Sequence, residues 1–300
     1  MKQIGIQEDS VIRGNLRHDN PQAKIDKGNQ LVIRAPKTTT SPSDEYLAVC
    51  VLASGSRGNA IYISNGSTSI LIDAGLSGIE LQRRLKAKGI CPEELSAIVV
   101  SHEHSDHTQG VGVLSRRFNL PVFINPKTHR AAHQLGKISD LRTFDCGTPF
   151  RIDQIHIHPF STSHDAEDPS GFTIGHNGKK IGLATDMGIA TSMVKSHLSD
   201  CTFLILEANH DPDMLQNGPY PWPLKQRIKS RTGHMSNEAS KALLQEIRHD
   251  RLEHVILAHL SEINNTPERA LHVVGQALLN SSIGLSTAAQ DTSGDTFYIR

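Results

Sequence analysis

Polar and apolar positions change character at Leu47. Up to that point residues 1–46, ending in APKTTTSPSDEY, are polar, mixed in charge and almost without aromatic residues. Such a segment buries little, which predicts a flexible extension; the apolar triplet Leu31-Val32-Ile33 leaves a docked arm as the alternative. From Leu47 the chain reads as LAVCVLA, the turn-rich SGSRGN, AIYIS, the hairpin dipeptide Asn65-Gly66 and STSILID, an antiparallel opening. Residues 78–88 carry apolar positions at helical spacing and stop at Gly89. Ala97-Ile98-Val99-Val100 is a short buried strand, NLPVFI another, and Asn125-Pro126 an N-cap with proline in the first helical position. RIDQIHIH alternates strictly. GFTIGH and KKIGLATD flank a second hairpin signal, Asn177-Gly178, before the continuous apolar strand CTFLILEA. A helix near 236–248, the strand HVILAH, a helix near 267–280 and a last strand TFYIR complete the chain. Strands in two batches, each trailing into helices, predict an α/β fold with two packed sheets and helices outside, spanning residues 47–300 as one domain.

Composition narrows the function classes. Among 300 residues, 31 Lys and Arg balance 31 Asp and Glu, so any polyanion must be gripped locally and not by overall charge. No apolar stretch approaches the ~20 residues of a membrane span, and the first residues lack the apolar core of a signal peptide. A cytoplasmic protein is the expectation. Cys50, Cys91, Cys146 and Cys201 form no C-x-x-C pair, which argues against a disulfide framework and a cysteine-rich zinc module. The 17 histidines are the unusual count, because imidazole is the commonest metal ligand.

Their placement is decisive. His102-Glu103-His104-Ser105-Asp106-His107 packs three imidazoles and a carboxylate at the end of a buried strand. At this histidine frequency that spacing arises by chance about 0.05 times in such a chain, and the aspartate lowers the figure further. Imidazole and carboxylate oxygen suit Zn²⁺, Mn²⁺ or Fe²⁺, and one loop can aim neighbours at two ions.

On these residues the chain resembles the metallo-β-lactamase superfamily, whose signature is H-x-H-x-D-H, and that resemblance implies an αββα sandwich. Asp73 matches the early aspartate that orients the histidine loop, His164 the lone histidine, Asp186 the bridging aspartate and His259 the last histidine. It implies His102, His104 and His164 around one ion, Asp106, His107 and His259 around the other, and Asp186 between them. Each has a plainer reading: His164 as a loop histidine, Asp186 as the N-cap before GIATSMV, His259 as the end of a strand. SGSRGNA, Glu207-Ala208-Asn209-His210-Asp211, Gly218-Pro219-Tyr220-Pro221 and Gly233-His234-Met235-Ser236-Asn237 are similar to the YycJ/WalJ (VicX) group, related to RNase Z and PhnP. Two divalent transition-metal ions, a bridging water as nucleophile and a phosphodiester substrate, with DNA degraded from an end, are what that implies.

Outside the ligand set, His234 precedes a predicted helix start near Ser236, where it can contact a phosphate or protonate a leaving alkoxide; a capping role is the alternative. Ser56, Arg57 and Asn59 offer a loop for phosphate, and Lys225, Arg227, Lys229 and Arg231 a basic run, unless these are an ordinary turn and a solvated helix face. The rival functions are hydrolysis of a small thioester, ester or lactone, and metal binding without turnover.

Overall fold

The computed structural model describes residues 46–300, so the expected extension, Tyr46 apart, lies outside the described residues. One sheet of seven strands is built from β1 (Leu47–Ala53), β2 (Ala60–Ser64), β3 (Ser69–Ile72), β4 (Ala97–Val99), β5 (Val122–Ile124) and β6 (Leu141–Thr143). The second holds β7 (Phe150–Ile152), β8 (Ile155–Ser161), β9 (Ser170–His176), β10 (Lys179–Ala184), β11 (Phe203–Glu207), β12 (His254–Ala258) and β13 (Gly284–Thr287). The last strand, β14 (Thr296–Ile299), returns to pair antiparallel with β1. Antiparallel pairing runs from β1 to β3 and from β7 to β10, and parallel pairing from β3 to β6 and from β10 to β13.

Helices connect the parallel strands: α1 (Gly78–Ala87), α2 (Ser105–Thr108), α3 (Val111–Phe118) and α4 (Pro126–Ala131) in the first half. The second half has α5 (Ser192–Leu198), α6 (Pro212–Asn217), α7 (Trp222–Lys229), α8 (Asn237–Ile247) and α9 (Pro267–Gly275), the last shorter than its expected span and followed by one 3₁₀ turn. Ser236 caps α8 through a bond from the Ala239 N–H, and Asn125 caps α4.

Side-chain parity explains the layers. In β1, Val49 and Val51 face the second sheet, where they meet Ile155, Ile157, Phe172 and Ile205 in the central core. Cys50 and Leu52 face α1 and α3 through Leu81, Leu85 and Leu114. A third core joins β11 and β12 to α5, α8 and α9. Three apolar seams need four layers, the αββα sandwich, and strands buried on both faces read as continuous apolar runs. β8 alternates because its Ile155 and Ile157 are buried while His156 and His158 point outward.

Candidate metal centre

Every expected ligand, and the orienting Asp73 with them, lies just past the C-terminal end of a strand. Asp73 follows β3, the HEHSDH segment follows β4, His164 follows β8, Asp186 follows β10 and His259 follows β12. Asp73, Asp186 and His259 are left-handed, with φ of 60°, 56° and 56°. Non-glycine residues hold that conformation only where their surroundings enforce it, and such strain concentrates at functional sites.

The loops converge. His102 Nε2 lies 3.1 Å from His104 Nδ1, which lies 3.3 Å from His164 Nε2. Nitrogens on one tetrahedral ion at ~2.0–2.1 Å sit about 3.3 Å apart, so this trio fits the spacing of shared ligands. His107 Nε2 lies 3.5 Å from Asp106 Oδ2, itself 3.6 Å from His259 Nε2. Asp186 reaches both groups, with Oδ2 3.4 Å from His107 Nε2 and Oδ1 3.9 Å from His164 Nε2 and 3.6 Å from His259 Nδ1. Asp186 is not the cap of α5, a position Thr191 takes.

Two buried atoms of the site, Asp186 Oδ2 and His259 Nε2, have no hydrogen-bond partner among the described residues. Leaving such groups unpaired costs about 1–3 kcal/mol each, which a bound cation removes. The carboxylates of Asp73, Asp106, Asp186 and Glu207 crowd the same space, and the oxygen and nitrogen donor set suits hard to borderline divalent ions. The residues therefore fit divalent metal.

Asp73 organises one side. Its Oδ1 accepts the Ser101 N–H and its Oδ2 the Ser101 hydroxyl and His107 Nδ1, each at 2.7 Å. A proton held on Nδ1 turns His107 Nε2 toward Asp106 and Asp186. Burial opposes charge on His107, but Asp186, Asp73 and Asp106 outweigh it and raise its pKa to about 9. Burial instead drives His102 well below the usual imidazole value, helped by His107 and His164. Gly75 makes the loop possible: a Cβ there would overlap the Asp106 carbonyl, which accepts the Asn59 N–H at 2.7 Å.

Glu207, the last residue of β11 and fully buried, organises the other side. Oε1 accepts His234 Nδ1 at 2.7 Å and His259 Nδ1 at 3.1 Å, while Oε2 accepts the Met187 and Met235 N–H groups at 3.0 and 3.1 Å. Burial opposes the charge of Glu207, yet His234 and His259 hold it far below the ordinary carboxylate range. Asp186, Glu207, His234 and His259 also lie close enough to form a ligand group of their own. Since His234 Nδ1 is taken by Glu207, its Nε2 is the nitrogen left without a partner among the described residues. His234 is not a helix cap, that role belonging to Ser236.

The expected phosphate loop is arranged differently. Ser56 is exposed, but the Arg57 guanidinium pairs with Glu262 and, at 2.9 Å, with Asp291, so its charge is already compensated. Asn59 is buried and turned inward, its amide 3.2 Å from Asp106 Oδ2 and 3.0 Å from His107 Nε2. A small polar side chain packed under a crowded loop satisfies that loop first.

A model of the beta-lactamase superfamily domain matches residues 68–260. "Exodeoxyribonuclease YycJ" of Bacillus anthracis is 38% identical over 241 residues, covering 79% of this chain and 91% of that protein. The chain belongs to the YycJ/WalJ group of the beta-lactamase superfamily. "Exodeoxyribonuclease WalJ" of Streptococcus pneumoniae serotype 2, strain D39, is 37% identical over 253 residues, covering 82% of this chain and 94% of that one. Among solved structures, the metallo-beta-lactamase fold protein YhfI from Bacillus subtilis superposes with a TM-score of 0.68 at 18% identity, covering 85% and 99% of the two chains, which bears on the fold alone. The metallo-β-lactamase sandwich expected from the HEHSDH segment is thus the fold observed.

Glu207 is the residue the sequence reading left without a role. A lone carboxylate ending the otherwise apolar run CTFLILE was a usable signal, since a buried charge needs partners. Ser101 was missed as well, one residue before the histidine loop.

Proposed function

We propose that the chain is a dinuclear metal-dependent phosphodiesterase, a DNA exonuclease of the cytoplasm, with His102, His104, Asp106, His107, His164, Asp186 and His259 as ligands. The carrying observation is the His234–Glu207 pair beside the ligand groups. A phosphodiester expels a poor alkoxide, which needs a proton; a thioester expels a thiolate, a better leaving group that needs it less, and metal storage needs none. The names of the curated relatives support the same reading, and free cysteines suit a reducing compartment. Among the described residues no helix is long and apolar enough to cross a membrane.

Divalent ions, Zn²⁺, Mn²⁺ or Fe²⁺, would neutralise phosphate charge and lower the pKa of water toward neutrality. The protein's own residues do the rest. Asp73 keeps His107 in one tautomer, Asp186 ties the two ligand groups together, and Asp106 is positioned by Asn59. His234, its Nδ1 proton fixed on Glu207, delivers a proton from Nε2 to the departing oxygen.

The test compares end-labelled linear DNA, closed circular DNA, bis(p-nitrophenyl) phosphate and a thioester, each with Mn²⁺ or Zn²⁺. Loss of linear DNA alone is expected. Cutting of circles makes it an endonuclease, and brisk thioester turnover with inert DNA refutes the proposal. His234→Ala should keep the metals and lower kcat on DNA by roughly 10²–10⁴-fold, with a smaller loss on p-nitrophenyl esters.

A further inference from the structure

Helix α7 buries none of its residues, although it belongs to a segment pressed against the metal centre. Its sequence, WPLKQRIK, contains the chain's one tryptophan, 60% exposed, between Pro221 and Pro223. Trp222, Lys225 and Lys229 recur at i, i+3 and i+7, a spacing that lines one face of a helix. Both ammonium groups converge on Gln216, Lys225 donating to its carbonyl at 2.9 Å and Lys229 to its side chain at 2.6 Å. No ion pair neutralises either lysine or Arg231 among the described residues. Arg227, in contrast, is spent on Asp165 at 2.6 Å. Residues 212–231 carry Asp213 against Lys225, Arg227, Lys229 and Arg231, a local excess of three positive charges in a chain of zero net charge.

The far end of α7 abuts the catalytic loops. The His234 N–H donates to Ile228 O at 2.9 Å, and Ser163, neighbour of His164, donates its hydroxyl to Arg231 O at 2.8 Å. At 1.5 Å per residue the helix runs about 10 Å from that end. Flanking prolines restrict the backbone on either side of Trp222, so little backbone freedom is lost when something stacks on its indole.

We propose that α7 carries an unpaired nucleic-acid strand to the metal centre, with Trp222 stacking on a base and Lys225, Lys229 and Arg231 contacting successive phosphates. An aromatic platform beside unpaired cations is how single strands are held without sequence preference. This rests on the phosphodiesterase reading and adds the form of substrate it takes, a strand with its bases exposed.

The lone tryptophan makes its own probe. Metal-loaded full-length protein titrated with a phosphorothioate oligothymidylate should lose tryptophan fluorescence in step with binding measured by anisotropy of a labelled oligonucleotide. Trp222→Ala should weaken that binding by roughly 5- to 150-fold, the worth of one stacked base, and leave bis(p-nitrophenyl) phosphate turnover unchanged. Replacing Lys225, Lys229 and Arg231 together by Gln should flatten the slope of log K against log salt by about 2. Binding without quenching, or unaltered by Trp222→Ala, overturns the assignment of α7. A protein that binds and quenches but hydrolyses no phosphodiester sinks the enzymatic reading and leaves α7 standing.

Discussion

Replacing Glu207 by Gln removes one charge and almost no volume, yet the carboxylate accepts four hydrogen bonds from four donors. An amide has one oxygen. Whichever way it turns, its NH₂ group confronts either the two imidazole N–H groups or the backbone N–H groups of Met187 and Met235, so two bonds are lost and donors face donors. At roughly 1.5–3 kcal/mol for each bond to a charged group, the loss is about 3–6 kcal/mol. Breaking other buried charge pairs costs a similar ~3–5 kcal/mol. For a domain of this size about 2–4 °C accompanies each kcal/mol, so Tm should fall by roughly 6–24 °C in calorimetry. Because His234 loses its anchor, kcat on DNA should fall about 10²–10⁴-fold, and far less on p-nitrophenyl esters. A variant melting within about 2 °C of the parent, with kcat on DNA intact, would show that Glu207 neither holds the two histidines nor matters to proton delivery.

Asp186→Ala should reduce metal content at both ligand groups in elemental analysis, because its two oxygens face different histidines; loss of only one ion would break the bridging assignment. Gly75→Ala should displace the histidine loop, lowering metal content and activity together, whereas normal metal loading would mean that the loop yields easily to the new Cβ. Glu80, held near pKa 2 by hydrogen bonds from Arg83 and Arg84, contributes stability that is full above its unfolded value of ~4.3 and lost as pH falls toward 2. Urea titrations of Glu80→Gln should therefore differ most from the parent near neutral pH and converge with it in acid; a gap that widens on acidification contradicts the sign.

Local chemistry was legible in the residues themselves. Asn65-Gly66 and Asn177-Gly178 specify hairpins because Gly66, Asn177 and Gly178 take left-handed turn positions that few other residues tolerate, and Ser236 and Asn125 announce their helices because only short polar side chains cap. HEHSDH declared metal chemistry because six consecutive residues hold most of a ligand set. Sheet membership was not legible: β14 alternates like any strand, and only its closure on β1 decides that it leaves the second batch for the first sheet. Nor does sequence say what a polar side chain will satisfy first. Arg57 and Asn59 have the chemistry of phosphate contacts, but Glu262 and Asp291, some two hundred residues away, take the one, and the histidine loop takes the other. Glu207 shows the converse, an ordinary strand-end carboxylate until folding brings His234 and His259 to the same oxygen. Propensity and capping act over a few residues and can be read along the chain, whereas hydrogen-bond partners and charge compensation depend on which strand ends meet at one edge of the sandwich.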